Sequence, residues 1–478
     1  MVSKKTMLAN LLLAFVSVNT VLDYGESSYS GISDYDANIR RMASVKASFI
    51  SRNGVPPISH SFSTTPVLTG SRVYHATDYG ADPSGKLDST DALEQAISDA
   101  FRSQVEGHLI QGVADLGGAQ LHLDGGTFKI SRPLRLPKIR GGNFMILCGS
   151  LTASPDFPTD RHLIELLPSS SSFSYEDVTL KDLMIDSNFR GGGIAIVNSL
   201  RTIIDNCYIS HFVTNGILIQ GGHETYVRNT FIGQHINAGG DRREKDFSGI
   251  GINIKGNDNA VTDVVIFSAS IGILIQGQAN MLTGIHCYNK ATGWGGTGIY
   301  IQAPGFTQTR IANSYFDFTG IVAEDPVQLH ITGSFFLGNA FILLKSLKGV
   351  AFGINIVDNM FSGDYTGVPT VRLDQSNSPF TKIEQVVVDR NNARGMVLKS
   401  TVARGSIWRN GTTWTVDFSR ALLFPNLIKH VQYTLHAGAS FPRHILRNAS
   451  GNRVTVETEL PTSATLHVAV DQSTVGYT

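Results

Sequence analysis

The sequence predicts an all-β protein built as a right-handed parallel β-helix, with a capping helix at its N-terminal end and an antiparallel β tail at its C-terminal end. A Gly-Ile-X-Ile-polar unit begins at Gly216, Gly251, Gly272 and Gly298. Apart from one longer interval after Gly216, these units and their weaker echoes recur about every 20–27 residues, which is typical of small stacked coils. Glycine accounts for 48 of 478 residues, and glycine permits the positive φ angles that tight corners between short strands need.

Composition disfavours several other classes of protein. Hydrophobic residues make up 42% of the chain and prolines number 16, which speaks against a disordered or collagen-like chain. Lys and Arg together number 39, as do Asp and Glu, so no nucleic-acid partner is expected. Three cysteines are too few for a disulfide framework, and Cys207 and Cys287 are expected to be buried apolar residues. No His or Cys spacing typical of a metal site is present, so neither a metal nor another cofactor is expected.

The N-terminus predicts secretion. Residues 1–22 carry two lysines before an apolar stretch that is too short to span a membrane, as in a signal peptide. A buried N-terminal helix is the alternative. After cleavage the protein is expected to be extracellular, without a membrane partner, and glycosylated at the sequons of Asn410 and Asn448. Residues 23–70 are rich in Ser, Gly and Asp and are predicted to be a flexible leader.

The β-helix is predicted over residues 71–395. It begins with a short strand over residues 72–80. A helix over residues 92–101 follows, with apolar residues at i, i+3, i+4 and i+7, and is expected to cover the open N-terminal end of the stack. Residues 119–130 are predicted to form two short strands around a Gly-Gly turn. A leucine-rich repeat is the alternative fold, but its Leu-X-X-Leu-X-Leu spacing is absent.

The C-terminal region, residues 396–478, has a different pattern. Strict alternation of apolar and polar residues appears at 454–458 and 465–470, and Trp408 and Trp414 flank the first sequon. This pattern predicts an antiparallel β cap that covers the open end of the solenoid or packs against its side.

Alternation also assigns the faces of the repeated strands. The isoleucines at the first and third positions after each glycine are predicted to point inward, so the second and fourth positions point outward. A polar strand face with an aromatic ring suits an extended sugar polymer, whereas a solvated sheet face is the alternative. The outward positions proposed to bind substrate are Gln220, Asn253, Lys255, Gln276 and Tyr300.

The longest interval between repeats, 35 residues (251 − 216), contains a charge-dense loop at 239–246. Two carboxyls there can act as general acid and base on either side of a glycosidic bond, while basic residues hold the carboxylates of an anionic sugar. Solvated turn residues are the alternative. The predicted catalytic residues are Asp241 and Asp246, together with His223, Glu224 and Asp258, and the predicted basic contacts are Arg242, Arg243 and Lys245.

A second candidate group lies further along the stack. It consists of Glu324 and Asp325 with His330 and Lys345. Since Asp-Pro pairs are common in turns, Asp325 and the proline after it are interpreted as a turn.

Longer motifs resemble a known family. The segments at 76–82 and 88–97 resemble the opening of pectin-lyase-like β-helix proteins. The blocks at 182–188, 221–226, 256–267 and 321–330 are similar to plant polygalacturonases of the Quartet 3 type. The resemblance implies a secreted glycoside hydrolase that cuts the polygalacturonate of pectin in plant cell walls, associated with pollen mother cell wall degradation and microspore separation. It implies a pectic polysaccharide as partner, no cofactor and a monomer.

The sequence departs from most polygalacturonases at their motifs Asn-Thr-Asp, Gly-Asp-Asp, Gly-His-Gly and Arg-Ile-Lys. Asn215 stands where the first motif has its acid, and Ser270 and Ile271 stand where Gly-His is expected. The catalytic residues are therefore not carried over from the family. A Ca²⁺-dependent pectate lyase and a pectin-binding wall protein without catalysis remain alternative functions.

Overall fold

A computed structural model describes residues 72–102, 108–168, 173–235, 247–288, 296–438 and 441–473. The predicted signal peptide and leader, and the charged residues at 241–246, lie outside the described residues. In the described part of the chain, no helix has both the length and the apolar composition to cross a bilayer.

The described chain winds through three rows of parallel strands, so that each coil contributes one strand to each row. One row is a separate ten-stranded sheet, and its strands carry the repeated Gly-Ile-X-Ile unit. Its strands are β5 (Leu134–Arg135), β7 (His162–Leu166), β9 (Gly192–Val197), β13 (Asn215–Gln220), β16 (Ile250–Lys255), β19 (Ile271–Ile275), β22 (Thr297–Ile301), β25 (Gly320–Glu324), β28 (Ile342–Lys345) and β31 (Val371–Asp374).

The other two rows belong to one 23-stranded sheet, because the long strands β6 and β8 run through both. The first row consists of β1 (Val73–His75), β3 (Ala114–His122), β6 (Gly141–Ala153), β8 (Tyr175–Asp186), β10 (Ser199–Leu200), β11 (Ile203–Asp205), β14 (Tyr226–Arg228), β17 (Ala260–Thr262), β20 (Met281–Thr283), β23 (Thr309–Ala312), β26 (Leu329–Thr332), β29 (Val350–Val357) and β32 (Lys382–Asp389).

The second row follows the first after a two-residue corner in most coils. Besides the ends of β6 and β8, it consists of β2 (Ser84–Asp88), β4 (Thr127–Ile130), β12 (Tyr208–Ser210), β15 (Phe231–Gly233), β18 (Val265–Phe267), β21 (His286–Tyr288), β24 (Tyr315–Asp317), β27 (Phe335–Leu337), β30 (Met360–Ser362) and β33 (Asn392–Arg394).

The core is the interior of the stacked coils. Ile217 lies beside Ile252, and Ile252 beside Ile273, in register along the ten-stranded sheet. All three side chains are fully buried, as are the isoleucines two residues further along each strand. The inward prediction for these positions is therefore confirmed, and so is the parallel β-helix.

The N-terminal end of the stack is covered by helix α1 (Thr90–Arg102), which begins two residues before the predicted start and ends one residue after the predicted end. Its apolar stripe is buried, and Phe101 packs edge-on against Phe144 with ring centroids 5.3 Å apart. The capping helix is therefore confirmed. The two strands predicted at 119–130 are β3 and β4, and each pairs in parallel with β6.

The C-terminal sheet is antiparallel, as predicted. Its strands are β34 (Val402–Asp417), β35 (His430–Ala437), β36 (His444–Ser450) and β37 (Arg453–Asp471). The long strand β37 pairs with the other three. The sheet has its own apolar cluster around the fully buried Trp414, whereas Trp408 is 69% exposed.

Candidate functional site

The outer face of the ten-stranded sheet carries a polar row at the end of its central strands. Gln220 lies beside Lys255, and the Gln276 amide donates to Gln302 Oε1 at 3.3 Å. The row forms because the repeated strands align in register, so the last outward position of each coil falls on the same line. The outward prediction for these side chains is confirmed, and they form one continuous polar line.

The neighbouring outward row is less exposed than a solvated sheet face would be. Asn253 is only 6% exposed, and its Nδ2 donates to Asn215 Oδ1 at 3.2 Å. Its Oδ1 is buried without a hydrogen-bond partner, and the same holds for Gln276 Oε1. A buried acceptor without a donor is costly, so these two amides are suited to accept hydrogen bonds from a ligand or from water.

Tyr300 belongs to a compact group of polar side chains further along the same face. Its hydroxyl donates to Glu324 Oε1 at 2.7 Å, and the Lys345 ammonium donates to the same oxygen at 3.1 Å. Glu324 is 8% exposed. The hydrogen bond to Glu324 raises the pKa of the Lys345 ammonium above its usual range. Lys345 therefore keeps its positive charge at neutral and mildly alkaline pH.

The strands next to the group of Tyr300, Glu324 and Lys345 contribute a further cation, a carboxylate and a pocket. Arg372 lies next to Leu343 in register and stacks its guanidinium over the Phe341 ring at 4.1 Å. Asp374 lies beside Lys345 on the adjacent strand, and hydrogen bonds from Ser376 lower the pKa of the Asp374 carboxyl. A pocket of about 200 Å³ opens on the same face, lined by Gly296, Thr297, Gly320, Ile321, Val322, Phe341 and Leu343.

The second group predicted from the sequence is divided by the structure. Glu324 and Lys345 join Tyr300, as described above. Asp325 instead accepts backbone N–H groups from Leu347, Lys348 and Val350 at 2.7–3.1 Å, so it organises a turn, in agreement with its interpretation. His330 lies on β26, in the first row, and therefore belongs to another face of the coil.

His223, Glu224 and Asp258 lie at the corner that follows the ends of β13 and β16. His223 Nδ1 is 3.2 Å from Asp258 Oδ2, whereas Glu224 is paired with Arg201 at 2.8 Å. Glu224 and Asp258 both have positive φ angles, and the Glu224 N–H donates to the Asp258 carbonyl at 3.2 Å. Both acids thus contribute backbone to a stacked corner as well as a carboxylate to its surface.

The charged loop itself, with Asp241, Asp246, Arg242, Arg243 and Lys245, lies outside the described residues. The described chain on either side is β15 and the start of β16. His223 follows the end of β13, and Asp258 follows the end of β16. The beginning and the end of β16 are about 17 Å apart, since five residue steps of about 3.3 Å separate them. The loop and the histidine corner are therefore attached at opposite ends of the strands of the ten-stranded sheet.

The outer face of the second row carries aromatic side chains that sequence reasoning missed as a group. Tyr208 and Phe231 are stacked at 6.1 Å, as are Phe267 and Tyr288 at 5.9 Å. For Tyr208 and Phe231 the signal was present in the repeated units Asn-Cys-Tyr, Asn-Thr-Phe and Asn-Ser-Tyr, whose third positions line up, whereas Phe267 and Tyr288 lie two residues beyond that position. This face therefore presents a row of rings, and several of them are partly exposed.

A larger pocket, of about 410 Å³, lies on the C-terminal sheet. Its described lining includes Arg404, Tyr433 and His467 but no carboxyl group. A pair of carboxyls is needed for glycoside hydrolysis. The lining of the smaller pocket also lacks a carboxyl, but Glu324 lies two residues from Val322 on the same strand, so the smaller pocket is the better candidate site despite its size.

Comparison with known proteins identifies the family. No family model matches the chain. The chain is 58% identical to polygalacturonase QRT3 of Arabidopsis thaliana over 454 residues, which cover 94% of each protein. The chain belongs to the QRT3 polygalacturonase family. This result confirms the resemblance deduced from the motifs at 182–330.

Two solved structures are similar to the QRT3-type chain at low sequence identity. PfbA, a surface adhesin of Streptococcus pneumoniae, is 13% identical with a TM-score of 0.50, covering 69% of this chain and 87% of that one. ORF18 of Geobacillus virus E2 is also 13% identical, with a TM-score of 0.49, covering 85% of this chain and 79% of that one. At such identity the adhesin supports the fold alone.

Proposed function

We propose that this protein is a secreted polygalacturonase that hydrolyses α-1,4-galacturonosyl bonds of pectin in the plant cell wall. The observation that carries the proposal is the 58% identity to polygalacturonase QRT3 over 94% of the chain. The QRT3-type resemblance also supports a role in degrading the pollen mother cell wall and separating microspores. Neither metal nor cofactor is part of this mechanism, because paired carboxyls suffice for glycoside hydrolysis.

The substrate is proposed to lie on the outer face of the ten-stranded sheet. Each galacturonosyl unit carries a carboxylate, and the cationic groups of Lys345 and Arg372 are placed to pair with it. Asn253 and Gln276 each offer a buried acceptor without a donor, which suits sugar hydroxyl groups. Gln220, Lys255 and Tyr300 complete the proposed binding face.

The general acid and base are proposed to be Asp241 and Asp246 of the charged loop, whereas the His223 corner lies at the other end of β16 and is not proposed to act with them. The carboxylates on the face itself are already engaged by neighbouring side chains. Glu324 already accepts hydrogen bonds from Tyr300 and Lys345, and the pKa of Asp374 is lowered by Ser376. A general acid instead needs a raised pKa. Arg242, Arg243 and Lys245 are proposed to hold the substrate beside the two acids.

The activity is tested by digesting polygalacturonic acid with the purified protein, with and without a chelator. Saturated products and new reducing ends in both conditions are expected. Unsaturated products that disappear on chelation would identify a lyase, and binding without any product would identify a wall-binding protein. Either result would overturn the proposed hydrolase.

The residue assignments are tested with matched variants. Asp241→Asn with Asp246→Asn is expected to lower kcat at least about 100-fold, as for loss of acid–base catalysis. Lys345→Met is expected mainly to raise KM, because it removes a cation that contacts the substrate. Glu384→Gln, on the exposed end of β32, is the control and should match the wild type. If Glu324→Gln alone abolished kcat while the double loop variant stayed active, the catalytic pair would have to be moved to the face.

Secretion and glycosylation belong to the same proposal. Asn410 and Asn448 are both exposed on the C-terminal sheet, which leaves room for a glycan at each. We expect the protein from a plant or yeast host to lose its first 22 or so residues and to shift in mass on deglycosylation. A monomer is expected by light scattering.

A further inference from the structure

Two histidines and an aspartate converge at the beginning of the coil stack. His75 ends β1, His122 ends β3, and the two are direct neighbours in the parallel register. Asp124 follows two residues later in a left-handed conformation with φ of 49°. His75 Nδ1 is 2.9 Å from Asp124 Oδ1, and His122 Nδ1 is 2.6 Å from the same oxygen.

The contacts of His122 make conflicting demands on one nitrogen atom. The backbone N–H of Asp124 points at His122 Nδ1 from 3.1 Å, which requires a lone pair on that nitrogen. The Asp124 carboxylate, on the same nitrogen, requires a proton there. A cation bound between Nδ1 and the carboxylate removes the need for a proton there, and the single lone pair of Nδ1 is then directed at the metal instead of at the Asp124 N–H.

We propose that His75, His122 and Asp124 bind one divalent cation of the zinc class. The possible ligand atoms lie within 4.8 Å of one another, and no other group of three or more His, Cys, Asp or Glu with this property occurs among the described residues. Tetrahedral ligands at about 2.0–2.1 Å from Zn²⁺ lie about 3.4 Å apart, a spacing that small side-chain movements here provide. Two nitrogens and one oxygen favour Zn²⁺ over Ca²⁺, which prefers oxygen ligands.

The position of the cluster indicates what the cation would do. The three residues join β1, the sheet-edge strand of the first coil, to β3 and to the turn that precedes β4. The described cysteines are all free, so no disulfide performs this function there. A bound cation would cross-link β1 to β3 and slow the unfolding of the first coil away from the rest of the stack.

The sequence did not show this cluster. His75 and His122 are far apart in the chain, and metal motifs are recognised by short spacings. Only the parallel pairing of β1 with β3 brings the two imidazoles together, with ring centroids 5.7 Å apart.

The test is a titration of the chelator-treated full-length protein with ZnCl₂ by calorimetry, with the melting temperature measured in parallel. One saturable equivalent and a higher melting temperature are expected. His122→Gln and Asp124→Asn should each lower the affinity at least about tenfold. Asn is chosen at 124 because it tolerates the left-handed conformation. His436→Gln, on the exposed face of β35, is the control and should bind as the wild type does.

Absence of saturable Zn²⁺ binding would overturn the proposal, as would equal binding by the wild type and both cluster variants. Preference for Ca²⁺ over Zn²⁺ would overturn the ligand assignment. Circular dichroism before the titration establishes that each variant is folded. Polygalacturonase activity is expected to survive metal removal at 25 °C, so this test and that of the proposed function fail independently.

Discussion

At the scale of single residues, the corner between the first and second rows depends on a left-handed backbone. The residues other than glycine in this place have φ angles between 50° and 59°, and Gly284 and Gly333 take the same place in two of the coils with φ of 66° and 61°. Asn and Asp tolerate this conformation because their short polar side chains reduce the steric cost that other residues meet. The residues at this corner include Asn206, Asn229, Asp263, Asn313 and Asp358.

Replacing Asn313 with Val tests the cost of this conformation. Asn313 has φ of 50° and its side chain is exposed, so the substitution changes mainly the backbone preference. We expect Asn313→Val to lower the free energy of unfolding by about 1–2 kcal/mol. Urea unfolding measures the change. Asn313→Gly is the control and should lose much less, because glycine adopts positive φ freely. Equal stability of the Val variant and the wild type would contradict the assignment.

At the scale of elements, the strands of the second row depend on their neighbours. β24, β27 and β30 have three residues each, which is too short for any of them to be stable alone. Their central phenylalanines are stacked inside the coil, with centroids of Phe316 and Phe336 4.9 Å apart and those of Phe336 and Phe361 4.6 Å apart. Each strand is therefore stabilised by the coils above and below it.

Phe336→Ala removes the middle ring of this stack. Phe336 is fully buried, so we expect a loss of about 3–5 kcal/mol in the free energy of unfolding. The adjacent Phe335 points outward and is 44% exposed. Phe335→Ala is thus a matched control, with an expected loss of about 0.5–1.5 kcal/mol from its contact with Tyr315. Similar losses for the two variants in urea unfolding would show that the stack is not the stabilising element.

At the scale of the whole molecule, both ends of the stack are covered. Helix α1 covers the first coils, whereas Leu423 and Phe424, from the segment between β34 and β35, join the coil core at the other end. Phe424 is 1% exposed and packs edge-on against Phe380 at 6.3 Å. Its carbonyl accepts side-chain N–H groups from Asn452 and Gln472. The C-terminal sheet thereby positions a plug over the last coil.

Phe424→Ala tests this plug. We expect a loss of about 3–5 kcal/mol, together with self-association, because an uncovered coil end exposes apolar side chains and unpaired strand edges. Phe441 is completely exposed, so Phe441→Ala is the control and should behave as the wild type does. Light scattering after gel filtration and thermal unfolding measure the two effects. A monomeric Phe424→Ala protein of wild-type stability would refute the plug.

Much of this architecture could be predicted because it repeats. The Gly-Ile-X-Ile unit specifies which side chains point inward, and the same rule aligns the polar row from Gln220 to Gln302. The burial of Cys207 and Cys287 also agrees with prediction, and it raises the pKa of the Cys207 thiol to about 12. The assignment of the charged loop to catalysis stays a prediction.

The contacts across coils could not be predicted in the same way. Tyr300, Glu324 and Lys345 are each about one coil apart in the chain, and the lengths of the turns between them decide whether their side chains meet. The two tryptophans beside Asn410 were equivalent by sequence, yet Trp414 is buried and Trp408 is exposed. Strand register and sheet packing decided both outcomes.

The sequence by itself determined the coil, its inward apolar ladders and the need for caps, because side-chain alternation and glycine corners are local properties. Only the tertiary structure decided which polar groups share a face, which amide oxygens are left without donors and that His75 meets His122 beside Asp124. The physical reason is that parallel stacking brings together residues about a coil or more apart. Their separation in space depends on register, which no local pattern specifies.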